Sequence, residues 1–181
     1  LSLKTNLNNY FDPFLGLTTS NLAFLRGGYL VNSKTSEKQF GQIGNIIPDY
    51  GEFILEVRPA TAEVNAKLVI SQLSQICQTN NLRLENIKVN FDYSPWVPNF
   101  ESNLFKTLSN ILSSEIPNIS LTNTFYTGFI DTALLNAVYP KVPKFVFGAG
   151  GQNQHSAGEF VEISSLEKAT KVYKQILTKF L

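Results

Sequence analysis

The chain's one histidine lies in Phe147-Gly-Ala-Gly-Gly-Gln-Asn-Gln-His155-Ser-Ala-Gly-Glu159. A neutral imidazole on a loop suits metal ligation or proton transfer, and a solvated loop histidine stands as the alternative. Lys144 to Phe147 reads as a short apolar strand. The glycines at 148, 150 and 151 relax the backbone enough to aim a side chain out of a sheet's carboxyl end, where open α/β sheets place ligands. A zinc site takes three or four ligands. The single cysteine, Cys77, falls on the apolar side of a helical pattern and reads as core. One histidine and one buried thiol cannot supply the set, so carboxylates or residues outside the chain must complete any metal chemistry.

The elements that would position these residues fall into two groups. Leu1 to Phe11 looks helical and stops at Asp12-Pro13, because proline disfavours helix in the residue before it. Leu17 to Leu25 reads as a strand and Ser33 to Gly44 as a loop. Glu52 to Arg58 alternates Phe53, Leu55 and Val57 against Glu52, Glu56 and Arg58, a strand with one buried face. A helix is predicted to open at Thr61, carry Ala66, Val69, Leu73 and Ile76 on one face, and end at Asn80-Asn81. Arg83 to Tyr93 reads as another strand. Ser94-Pro-Trp-Val-Pro98 interrupts any regular element, which places a domain boundary there, between residues 1–94 and 95–181. Helices then follow at Asn99 to Ser113 and Asp131 to Val138, with strands at Ile119 to Tyr126 and Lys144 to Phe147. The last helix begins at a capping box of Ser164 and Glu167. Alternating strands and helices predict a parallel sheet in the second part; the first part predicts a small antiparallel sheet with helices on one face. The fold class is thus α/β together with α+β.

Composition narrows the function. The 181 residues are 43% hydrophobic and 16% charged, enough apolar content for a real core in one or two small domains. A net charge of +1 without a basic run gives no electrostatic case for nucleic acid or an anionic membrane. No apolar run approaches the roughly 18 residues of a membrane helix, and no signal-peptide pattern opens the chain; a cytoplasmic setting is expected. The chain begins at Leu1 and has no methionine, from which a processed or partial product is expected.

Gly44-Asn-Ile-Ile-Pro-Asp49 before the strand ending at Arg58, then Thr127-Gly-Phe-Ile-Asp131, then Phe147-Gly-Ala-Gly with His155 and Glu159, together resemble the co-catalytic zinc amidohydrolases. These include succinyl-diaminopimelate desuccinylase, acetylornithine deacetylase, aminoacylases, glutamate carboxypeptidases and dipeptidases. The resemblance covers nearly the whole chain and rests on the order and spacing of three motifs. It implies that residues 1–94 correspond to an amino-terminally incomplete lid or dimerisation domain. Residues 95–181 would be the carboxyl-terminal part of the metal-binding catalytic domain, a parallel or mixed α/β structure. The family's other metal ligands, its general-base glutamate and its lid histidine have no counterpart here. A carboxyl-terminal piece, inactive alone, of an active hydrolase is therefore expected, with no catalytic residue in the chain itself.

By the same resemblance His155 is the family's last metal ligand, and Glu159 orders the loop. Arg58 grips a substrate carboxylate through paired hydrogen bonds, against the alternative of a strand-end arginine paired with Glu56 or Glu63. Asn45 donates its amide to the same carboxylate, or only shapes the turn before Pro48. Gly128 lets the backbone approach the substrate. Phe129 and Ile130 stand where the family often has polar residues, and Asp131 reads as a helix N-terminal carboxylate. The implied cofactor is a pair of zinc ions, with cobalt or manganese as alternatives. The implied substrate is an N-acyl amino acid or small peptide, in a homodimer formed through the lid. A non-catalytic binding or dimerisation module with a lid-like α+β fold is the competing reading.

Overall fold

The alternation of Phe53, Leu55 and Val57 with charged neighbours makes a nine-residue strand, and its partner is the run just upstream. A computed structural model of the chain describes residues 2–32, 39–41, 45–119, 130–154 and 156–181. The described residues divide into two units, one within Leu1–Asp92 and one from Tyr93 onward. Their fold class is α+β, helices with small antiparallel sheets.

In the first unit, helix α1 (Ser2–Leu7) precedes a short hairpin of β1 (Phe11–Asp12) and β2 (Gly16–Leu17). Asp12 shapes its turn, with Oδ1 accepting from Phe14 N at 2.7 Å and Leu15 N at 2.8 Å, and Gly16 has a φ of 85°. The unit's main ladder joins β3 (Thr19–Gly28) to β6 (Tyr50–Arg58), antiparallel from Thr19 opposite Arg58 to Gly28 opposite Tyr50, with a register shift between Leu22 and Phe24. Between them β4 (Leu30–Asn32) pairs with β5 (Gln39–Phe40), so two residues inside the expected Ser33 to Gly44 loop form a strand.

Helix α2 (Ala66–Thr79) starts five residues after the expected Thr61. Asn65 is its N-cap, accepting from Leu68 N at 3.0 Å, while Thr61 is used in a turn whose carbonyl accepts from Val64 N. The other end is as expected. Asn81 takes a left-handed φ of 56°, and Leu82 N and Asn81 N return to the carbonyls of Cys77 and Gln78, satisfying groups a helix end leaves orphaned. Arg83 to Tyr93 does not form the expected strand. Its alternation is real, but among the described residues no second backbone pairs with it, and Ile87, Val89 and Phe91 are exposed. Among the described residues of this unit, Leu7, Gly16, Thr18, Ala60 and Val64 are buried.

The second unit is built on two amphipathic helices. Ser102 caps α3 (Asn103–Glu115) by accepting from Phe105 N at 3.1 Å, a bond whose loss typically costs about 1 kcal/mol. Leu108 and Leu112 on α3 and Val172 on α5 (Ile163–Phe180) form the core, with Ile111, Ile116, Phe145, Phe147 and Ile176 packed around it. Helix α5 begins at Glu162 rather than at a Ser164 capping box, and no side chain caps it. A short α4 (Thr132–Val138) follows Asp131, which stands at its N-terminus without a side-chain capping bond. The last ladder is β7 (Gly151–Gln152) with β8 (Phe160–Val161), also antiparallel.

The expected parallel sheet is not found: every ladder among the described residues is two-stranded and antiparallel. Lys144 to Phe147 has no ladder partner among the described residues, and its Phe145 and Phe147 pack on the α3–α5 core. Of its expected partner, Ile119 to Tyr126, only Ile119 is described.

Candidate functional site

Arg58 ends β6, and two features fix the backbone beneath it. It sits opposite Thr19 in the ladder. Two residues on, Ala60 N donates to the buried Thr18 hydroxyl at 2.9 Å. On a strand, residues i and i+2 share a face, so Glu56 and Arg58 lie side by side, and Arg58 Nε donates to Glu56 Oε1 at 3.0 Å. Both side chains are 41% exposed, so solvent screens the pair. Among the described residues the guanidinium has no other partner, which leaves the two Nη nitrogens free to take a carboxylate through parallel hydrogen bonds.

Asn45 is exposed and precedes β6. The residues after it are pinned to the opposite end of the ladder from Arg58. Asp49 N donates to Gly28 O at 3.2 Å, and Asp49 Oδ1 accepts from Leu30 N at 2.9 Å. The nine residues of β6 span about 27 Å at ~3.4 Å per residue. The hairpin therefore holds Asn45 and Arg58 at opposite ends and does not bring them together.

Gly128 and His155 lie outside the described residues, as do Gly44 and residues 120–129. The 153–159 loop closes the β7–β8 hairpin. Asn153, at a left-handed φ of 60°, donates from Nδ2 to Gly158 O at 3.2 Å, and Ser156 Oγ donates to Asn153 O at 2.8 Å. Glu159 N donates to Ser156 O. The hairpin's base is tied to the start of α5: Gly150 N donates to Ser165 Oγ at 2.5 Å, and Glu162 N to Gly150 O at 3.0 Å. Gly151 is obligatory, because a Cβ there would lie 2.0 Å from Phe160 O. Gly151 thus serves close strand pairing and Gly150 a link to the start of α5.

Among the described residues, no three histidine, cysteine, aspartate or glutamate side chains gather to hold a metal ion. Those residues by themselves therefore do not fit a zinc site, and no catalytic step can be drawn through one. Cys77 is free and half-buried. A cavity of about 570 Å³ in the second unit is lined by Leu104, Leu135, Phe145 and Tyr173 among others. Its one charged lining residue, Lys144, is turned to the carbonyls of Tyr139 and Val142, so the cavity offers no free polar group of that kind. No helix among the described residues is long and apolar enough to cross a membrane.

The bond from Glu56 to the Nε edge of Arg58 has a sequence signal, acid and arginine two positions apart on one strand face. That signal cannot tell which edge of the guanidinium is used. Compared with known proteins, the chain matches the family model described as Peptidase family M20/M25/M40 over residues 15–179. No curated protein matches it.

Proposed function

Because the chain belongs to Peptidase family M20/M25/M40, a family of metallopeptidases, we propose that it serves a zinc-dependent amidohydrolase cleaving an N-acyl amino acid or a small peptide amide. The carrying observation is the family match itself, which runs from before Asn45 to beyond His155 and takes in Arg58 and Gly128. In this reading His155 supplies one metal ligand from the 153–159 loop, and the remaining ligands come from outside the described residues. Zinc, or cobalt or manganese in its place, supplies the Lewis acidity for amide hydrolysis.

The chain's own residues act on the substrate. Arg58 takes the substrate carboxylate on its two free Nη nitrogens. Gly128 admits the substrate close to the backbone; Asn45, held at the other end of the β3–β6 hairpin, is too far from Arg58 to share one small substrate with it. Residues 1–94 would form the lid and a homodimer surface, and residues 95–181 part of the catalytic domain. A cytoplasmic deacylase of amino-acid metabolism, acting on N-succinyl or N-acetyl substrates, is the setting this assignment implies.

The test is hydrolysis of N-acetyl- and N-succinyl-amino acids by the metal-loaded enzyme, wild type against Arg58→Ala. Losing a charge-assisted carboxylate contact worth about 2 kcal/mol raises KM on the order of 30-fold with little change in kcat. Unchanged kinetics in a normally folded variant would reduce Arg58 to a surface ion pair.

A further inference from the structure

We propose that Glu56 is a positioning residue for Arg58, holding the guanidinium by its Nε edge so that the paired Nη nitrogens meet the substrate carboxylate already oriented. The inference rests on the reading of Arg58 as the carboxylate grip. The ladder to Thr19 and the Ala60–Thr18 hydrogen bond fix the backbone on both sides of Arg58, so what remains to be set is the side chain. An arginine side chain has several rotatable bonds, and ordering them on binding weakens affinity. Glu56 sets them in advance through one oxygen on Nε at 3.0 Å.

The edge chosen matters. Arginine has five N–H donors in a planar fork. A carboxylate across both Nη nitrogens would occupy the place a substrate needs, whereas a single oxygen on Nε leaves the four Nη–H donors without that competitor. Glu56 also brings a negative charge toward an anionic substrate, which opposes binding. Orientation and repulsion therefore predict opposite outcomes for its removal. As a contribution to stability the pair counts for little, since both side chains are 41% exposed. A change in substrate affinity without a change in unfolding temperature is the expected signature.

The experiment is steady-state kinetics on the metal-loaded full enzyme with the N-acyl amino acid it hydrolyses and with that substrate's carboxamide analogue. Glu56→Ala is expected to raise KM for the carboxylate substrate about 5- to 10-fold at nearly constant kcat. Glu56→Gln, which keeps reach and acceptor but drops the charge, restores KM to wild type or below. Glu56→Asp, which keeps the charge but not the reach, does not, and this pair decides the matter even if the alanine variant fails to fold. The effect should vanish on the carboxamide and in an Arg58→Ala background. A fall in KM for Glu56→Ala means that repulsion dominates and overturns the proposal; so does an equal effect on both substrates, which marks a structural role. If Arg58→Ala raises KM while no Glu56 variant does, the positioning role alone is wrong. If Arg58→Ala changes nothing, the carboxylate reading fails and Glu56 falls with it.

Discussion

Replacing His155 by alanine in the full metal-loaded enzyme should lower the bound metal measured by elemental analysis and nearly abolish turnover, because a lost protein ligand weakens the whole coordination set. Wild-type metal content and activity would leave His155 a loop residue without a metallic role. Sequence located the arginine well: the alternation from Glu52 to Arg58 puts it at a strand end, where the ladder holds it. It also offered Glu56 or Glu63 as an ion-pair partner in the competing reading, and the structure shows the bond to Glu56. The relation of Asn45 to Arg58 was not legible in the same way. Spacing along the chain becomes distance only once the intervening residues are extended, and the nine of β6 carry Arg58 away from the turn at Asp49.

The β7–β8 hairpin makes a sharp demand on one glycine and none on its neighbour. Any side chain at position 151 meets the Phe160 carbonyl, while a Cβ at Gly148 has nothing within 4 Å. Gly151→Ala should therefore destabilise the protein by about 1–3 kcal/mol in denaturant unfolding, and Gly148→Ala should stay close to wild type. Equal effects at the two positions would show that the hairpin is not held by this close approach. Helix interiors and the end of α2 were readable because apolar periodicity and an Asn pair are local signals. Helix starts were less so. Thr61 and Asn65 are both good caps, and the choice between them was made by Thr18, distant in sequence, which binds the backbone at Ala60. Arg83 to Tyr93 and Lys144 to Phe147 have no ladder partner among the described residues; a strand is completed by its neighbour, and the pattern of one segment does not supply the other.

Across the whole chain, large apolar side chains stand exposed in both units, among them Leu25 at 67% and Phe91 at 75% in the first and Ile163 at 76% in the second. Such surface favours association. The protein should enhance the fluorescence of an apolar dye, and its sedimentation coefficient should rise with concentration; a monomer at every concentration that leaves the dye dark would show these side chains to be covered. The helices and the antiparallel hairpin of the first half could be read from the residues, and α+β is the class that the structure carries. The parallel sheet expected in the second half falls largely outside the described residues, its first strand lying almost wholly within residues 120–129, while Phe145 and Phe147 of its second pack on helices. Thr18, with no exposed surface, donates its N–H to Tyr10 O at 2.9 Å while its hydroxyl receives the amide of Ala60. In heavy water neither amide can trade its proton for a deuteron until this buried knot loosens. The labelling rate at Ala60 is thus a clock, ticking once each time the footing of Arg58 gives way.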